Sequence, residues 1–150
     1  MGSAIRVCLL SLCASLSIVN NSGTNDPRSR ACRAVFSGHK GLVGQLALQG
    51  DTLVSGDNSG TVKVWSLDAP GSGQTIVQEE EGNPVVSLAL DEGDILSGNA
   101  NGSVHLVRRD LGTREALLTR VNNVWCVGFT PSKHPWVVYM NGEDTQLGIF

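Results

Sequence analysis

Apolar and polar positions alternate in short runs broken by turn residues. Val43-x-x-Leu46-x-Leu48 returns apolar residues to one face at a period of two, as in a strand. Gln49-Gly50-Asp51 reads as a tight turn, after which Thr52–Gly56 is predicted to run back antiparallel. Asp57-Asn58-Ser59-Gly60 is a second turn and Thr61–Leu67 a third strand. Ala69-Pro70-Gly71-Ser72-Gly73 then forms a loop before a fourth strand, Gln74–Gln78.

This unit recurs. Leu53–Trp65 lies over Ile95–Val107 without a gap, at a spacing of 42 residues as from Ser55 to Ser97. Upstream, Val43, Leu46 and Leu48 fall on Val85, Leu88 and Leu90. In a third copy Val124, Val127 and Phe129 repeat the first strand, and Leu147, Ile149 and Phe150 the third. That copy needs a few extra residues, which the alignment assigns to a hairpin loop around Thr130–Pro135. Four strands in such a repeat match one blade of a β-propeller, whose faces are buried only when neighbours stack on it. The expected fold is therefore all-β, an incomplete β-propeller of about three four-stranded blades. The blades fall at about 39–80, 81–120 and 121–150, after an N-terminal segment at 1–33. Whole propellers have four to eight blades, so a truncated product or a fragment is expected in preference to an oligomer that completes a ring.

The N-terminal segment reads in two ways. Val7–Val19 is apolar and follows Arg6, as in a secretory signal, but is too short and serine-rich to span a membrane. Ser3-Ala4-Ile5-Arg6-Val7-Cys8 also resembles Gly60-Thr61-Val62-Lys63-Val64-Trp65, which makes it a strand of an earlier blade. The strand reading is favoured.

Composition agrees with short strands and many turns. Of 150 residues 41% are hydrophobic and 17% charged, with 18 glycines against 5 prolines. The net charge of −3 comes without a Lys/Arg stripe, so nucleic acid is not an expected partner. Arg108-Arg109, the densest basic spot, reads as a solvated turn. Cys8, Cys13, Cys32 and Cys126 form no C-x-x-C pair, and no histidine stands at ligand spacing, so no metal site or cofactor is expected. Free thiols suit an intracellular protein. The nucleophile elbow, the phosphate loop, H-E-x-x-H and the dinucleotide fingerprint are absent from the sequence. Glu79-Glu80-Glu81 reads as a solvated loop, with an acidic contact patch as the lesser alternative. Glu143-Asp144 does not read as a pair of catalytic acids.

Gly38-His39 before a first strand, Ser55-Gly56 closing a second, and Gly60-Thr61-Val62-Lys63-Val64-Trp65 in the third resemble the WD-repeat (β-transducin-like) family. The resemblance covers roughly Ala34 to Phe150 and weakens after the first copy; Trp65-Ser66 stands where the family has Trp-Asp. It implies a hydrogen-bonded chain of His, Ser/Thr, Asp and Trp in each blade, of structural use. His39, Ser55 and Trp65 match three of those places, and the Asp place falls on Ser59. In the second copy Ser97 is kept, while Glu81, Asn101 and Val107 replace His, Asp and Trp. The third copy keeps Asp144 but has Phe150 for Trp. His39 is expected to be a buried structural partner in preference to a general base.

The resemblance also implies a face shared by the turn before each first strand and the turn between second and third strands. Lys40, Asp57, Asn58, Asn99, Trp125 and Glu143 are the candidate protein-binding rim there. Trp125 is the foremost of them, because tryptophan is favoured at energetic centres of interfaces. The expected function is a non-catalytic scaffold or adaptor that binds other proteins or peptides in a larger complex. It would lie in the cytoplasm or nucleus, away from membranes. Leu46–Gly56 is in addition similar to blades of F-box WD-repeat proteins, the substrate receptors of cullin ubiquitin ligases. That similarity supplies the alternative: a fragment of such a receptor.

Overall fold

A computed structural model describes residues 3–10, 13–19, 32–69, 73–78 and 83–150. The acidic run Glu79–Glu81 lies outside these residues, as do Pro70–Ser72 of the expected loop. All regular structure among them is β, in four antiparallel sheets. The first holds β1 (Ser3–Leu10), β2 (Cys13–Val19) and β3 (Cys32–His39), ordered β2-β1-β3. The second runs β4 (Val43–Gln49), β5 (Thr52–Asp57), β6 (Thr61–Ser66) and β7 (Gln74–Gln78), in chain order. The third repeats that order with β8 (Val85–Asp91), β9 (Asp94–Asn99), β10 (Val104–Arg108) and β11 (Thr113–Leu118). The fourth has β12 (Asn123–Phe129), β13 (Pro135–Asn141) and β14 (Asp144–Ile149). The architecture is an incomplete β-propeller. The sequence spacing places each of β4 to β10 to within a residue or two.

The middle strands show why the repeat is apolar where it is. Successive side chains of a strand point to opposite faces. Leu53 therefore packs with Phe36, Val43 and Trp65 on one side of β5, and Val54 with Val62, Val85 and Ile95 on the other. Ile95 and Leu96 divide in the same way, Leu96 joining Val104, Leu106, Val124 and Val137. Paired apolar residues replace strict alternation because both faces of the blade are covered. Burying each such side chain stabilises the fold by roughly 1.5–3 kcal/mol.

Neighbouring sheets meet through their first strands, β8 packing against β4 and β5 of the sheet before it, and β12 against β8 and β9 of the sheet before it. Two glycines set the spacing. A Cβ on Gly56 would stand 2.6 Å from Val85, and one on Gly98 2.6 Å from Val124. Each first strand also carries a bulge at one register position, between Val43 and Gln45, Val85 and Ser87, and Val124 and Cys126. The bulge residues are thus Gly44, Val86 and Trp125.

The third copy departs from the sequence alignment. Its first hairpin is closed at Thr130 and His134, close to the size of its counterparts. Most of the extra length lies instead between β13 and β14, where pairing continues to Asn141 opposite Asp144. A hairpin can lengthen in register at low cost, whereas the tight turn of the other copies is held by one side chain, the Asp57 carboxylate or the Asn101 amide.

Candidate functional site

Leu53, Ser55 and Asp57 share one face of β5, and Trp65 of β6 lies on the same side. Gly38-His39, at the end of β3, brings an imidazole onto that face. The Trp65 Nε1–H donates to Ser55 Oγ at 2.8 Å, and Ser55 Oγ lies 2.6 Å from His39 Nε2. His39 Nδ1 is 2.7 Å from Asp57 Oδ2. Burial favours the neutral imidazole. Because indole only donates and carboxylate only accepts, the chain then runs one way, from Trp65 to Ser55 to His39 to Asp57, with the imidazole proton on Nδ1. Burial lowers the pKa of His39 below the ordinary 6.5, against the upward pull of the Asp57 hydrogen bond and charge.

Asp57 is the anchor. Its Oδ1 accepts from Ser59 N–H at 3.0 Å, the Ser59 hydroxyl at 2.7 Å and Thr61 N–H at 2.9 Å. Burial works to raise its pKa, yet these bonds and that from His39 hold it below the ordinary carboxylate value. Two sequence expectations are corrected here. The acidic place of the chain is filled by Asp57, and Ser59 is one of its donors. Asp57 is also absent from the rim, being 1% exposed. The reason is register: β5 extends far enough to set Asp57 opposite Val43, which turns its side chain onto the face of Ser55.

The second copy has the places without the bonds. Ser97 and Asn99 stand where Ser55 and Asp57 do, and both are fully buried. Among the described residues Ser97 Oγ and Asn99 Oδ1 have no hydrogen-bond partner, and Asn99 Nδ2 donates to Asn83 O at 3.3 Å. Asn99 therefore also leaves the rim. Asn101, expected in the acidic place, plays the part of Asp57 toward its own turn: its Oδ1 accepts from Ser103 N–H and hydroxyl at 2.9 and 2.6 Å. Glu81, expected for the histidine, lies outside the described residues. In the third copy the expectation for Asp144 fails, since it sits exposed at the tip of the lengthened hairpin. Val137, Tyr139 and Phe150 occupy the places of Ser55, Asp57 and Trp65.

Ser55, His39 and Asp57 have the order and spacing of a hydrolytic triad. The surroundings exclude that chemistry. Ser55 is 0% exposed and His39 2%, so no acyl group reaches the hydroxyl, and the Trp65 N–H already holds one of its lone pairs. The arrangement satisfies buried polar groups.

The turns of the expected rim are joined by hydrogen bonds. Leu42 N–H donates to Asn58 Oδ1 and Asn58 N–H to Leu42 O, tying the turn before β4 to the turn after β5. Ala100 N–H to Pro84 O and Gly142 N–H to Asn122 Oδ1 repeat the tie in the later sheets. Lys40, Asn58, Trp125 and Glu143 are exposed at or beside these turns. Trp125 is 56% exposed because its bulge turns it off the packed face.

No family model and no curated protein matches this chain. Among solved structures, the computationally designed protein Ika8 is similar over 98% of this chain and 46% of its own, at 22% identity and TM-score 0.65. The designed protein Ika4 is similar over 80% of this chain and 72% of its own, at 21% identity and TM-score 0.64. The β-propeller domain of Cps50 (Swd1) from Myceliophteria thermophila is similar over 75% of this chain and 40% of its own, at 20% identity and TM-score 0.55. The chain spans less than half the length of Ika8 and of the Swd1 domain. What these likenesses establish is the fold, a partial β-propeller.

Proposed function

We propose that this chain is a non-catalytic interaction scaffold of WD-repeat type, which holds partner proteins inside the cell through the rim of tied turns. One observation carries the reading: a half-exposed tryptophan, Trp125, stands on a rigid first strand beside exposed, hydrogen-bonded turns. Large rigid aromatic side chains bind at low entropic cost, and scaffolded turns present them in fixed geometry. The sealed Ser55–His39–Asp57 group supports a structural role over a catalytic one. The β4–β5 hairpin that resembles ubiquitin-ligase receptors is built like β8–β9, so it does not single out that narrower role.

The test is quantitative affinity capture with the wild-type chain and with Trp125→Ala. The substitution is expected to deplete a defined set of partners at least tenfold while near-UV circular dichroism stays unchanged, roughly the loss of one interface centre. Undiminished capture by a folded Trp125→Ala protein would remove the rim from the account.

A further inference from the structure

The basic spot at Arg108-Arg109 belongs to a cleft. β7 of the first blade and the β10–β11 turn of the second flank an open cleft of about 550 Å³, within the range of ligand-sized clefts. Ile76 and Val107 give it an apolar floor, and Arg108, Arg109 and Arg114 stand around it. Arg114 is held in place, its guanidinium donating to His105 Nε2 at 3.2 Å. Arg108 Nη1 is 3.8 Å from Asp94 Oδ2, beyond hydrogen-bond length, with both groups partly solvated. Arg109 is exposed and makes no ion pair or hydrogen bond among the described residues. The acid within the cleft, Asp110, turns back to accept from Leu111 N–H at 2.9 Å. A comparable cleft between the second and third blades holds one cation, Arg108, and one acid, Glu115.

We infer that this cleft binds an extended acidic peptide segment of a partner protein, with carboxylates on the arginines and apolar side chains on Ile76 and Val107. Guanidinium groups match carboxylates in planar, two-pronged geometry, and a local positive field in a chain of net charge −3 selects an anionic partner. An apolar floor favours a peptide over a bare polyanion, which has nothing to place there. The inference goes beyond the rim reading and stands without it, because the cleft lies at the flank between blades and shares no residue with the rim.

The experiment is fluorescence anisotropy of the purified chain with a labelled peptide of alternating Glu and Leu. A Lys-Leu peptide and single-stranded oligo-dT serve as competing probes. Saturable binding of the Glu-Leu peptide is expected, weakened roughly tenfold by Arg109→Glu, largely kept by Arg109→Lys, and unchanged by Trp125→Ala. Arg109→Glu is expected to keep the wild-type near-UV spectrum, since nothing in the fold rests on that side chain. Absence of saturable binding, equal affinity for Arg109→Glu, or equal or tighter binding of the Lys-Leu peptide or the oligonucleotide would overturn the inference. Retention of rim partners by Trp125→Ala would count against the rim alone.

Discussion

The first and second blades share one backbone and differ in what fills it. The lengths of the first two strands, the bulges, the turn ties and the close approach of a valine to a glycine are common to both. Yet the first blade buries a complete polar chain, while the second buries a serine hydroxyl and an amide oxygen with no partner among the described residues. Apolar pairs and glycines thus specify a blade. The polar chain adds stability where it is complete and is dispensable for the architecture.

That contrast is open to attack at several points. The largest effect belongs to Asp57→Ala, which would leave His39 Nδ1, Ser59 N–H and Thr61 N–H without their acceptor. A loss of about 4 kcal/mol in urea unfolding is expected, against less than about 1 kcal/mol for Asn99→Ala, whose amide makes one long bond. Equal losses would show that the second blade has a chain of its own. Gly98→Ala comes next, at about 2 kcal/mol, because its new methyl meets Val124 at the blade interface. Gly44→Ala, where a new methyl meets nothing and the backbone is not left-handed, is the control, and a larger loss there would refute the spacing role of Gly98.

A smaller effect is expected from acid. His39 titrates below 6.5 in the fold, so the unfolded chain binds its proton first, and stability falls as pH drops below about 6.5. Asp57, lowered from 3.8, contributes stability that is present above its unfolded value and lost as pH falls further. Both act in the same direction, in two successive windows. Stability that is flat from pH 7 to 5, or that rises on acidification, would contradict a neutral buried His39. Smallest of all, Trp125→Ala is expected to change stability by no more than about 0.5 kcal/mol, as befits an exposed bulge residue.

The strands and their repeat were legible in the sequence because spacing at 42 residues and apolar pairs such as Leu53-Val54 and Ile95-Leu96 follow directly from burial on two faces. The polar chain was legible only in part. His39, Ser55 and Trp65 lie in matched motifs, but Asp57 sits at the start of a turn-like run and reads as exposed. Its inward aim depends on how far β5 runs before turning, which composition does not reveal. Asn99 was misplaced for the same reason. Asp144 was misplaced because an extended hairpin and a tight turn both place acidic residues before a third strand. The cleft around Arg109 was hidden, since Ile76 of the first blade joins it only when the two blades stack.

Serine at one position of two successive blades offers the most direct test. Ser55 serves both Trp65 and His39, whereas Ser97, equally buried, serves neither. Chemical denaturation of Ser55→Ala is expected to show a loss of about 2 kcal/mol, and that of Ser97→Ala no loss or a slight gain. Losses of equal size at the two sites would mean that the blades are held by the same polar chain, and the distinction drawn between them would fall.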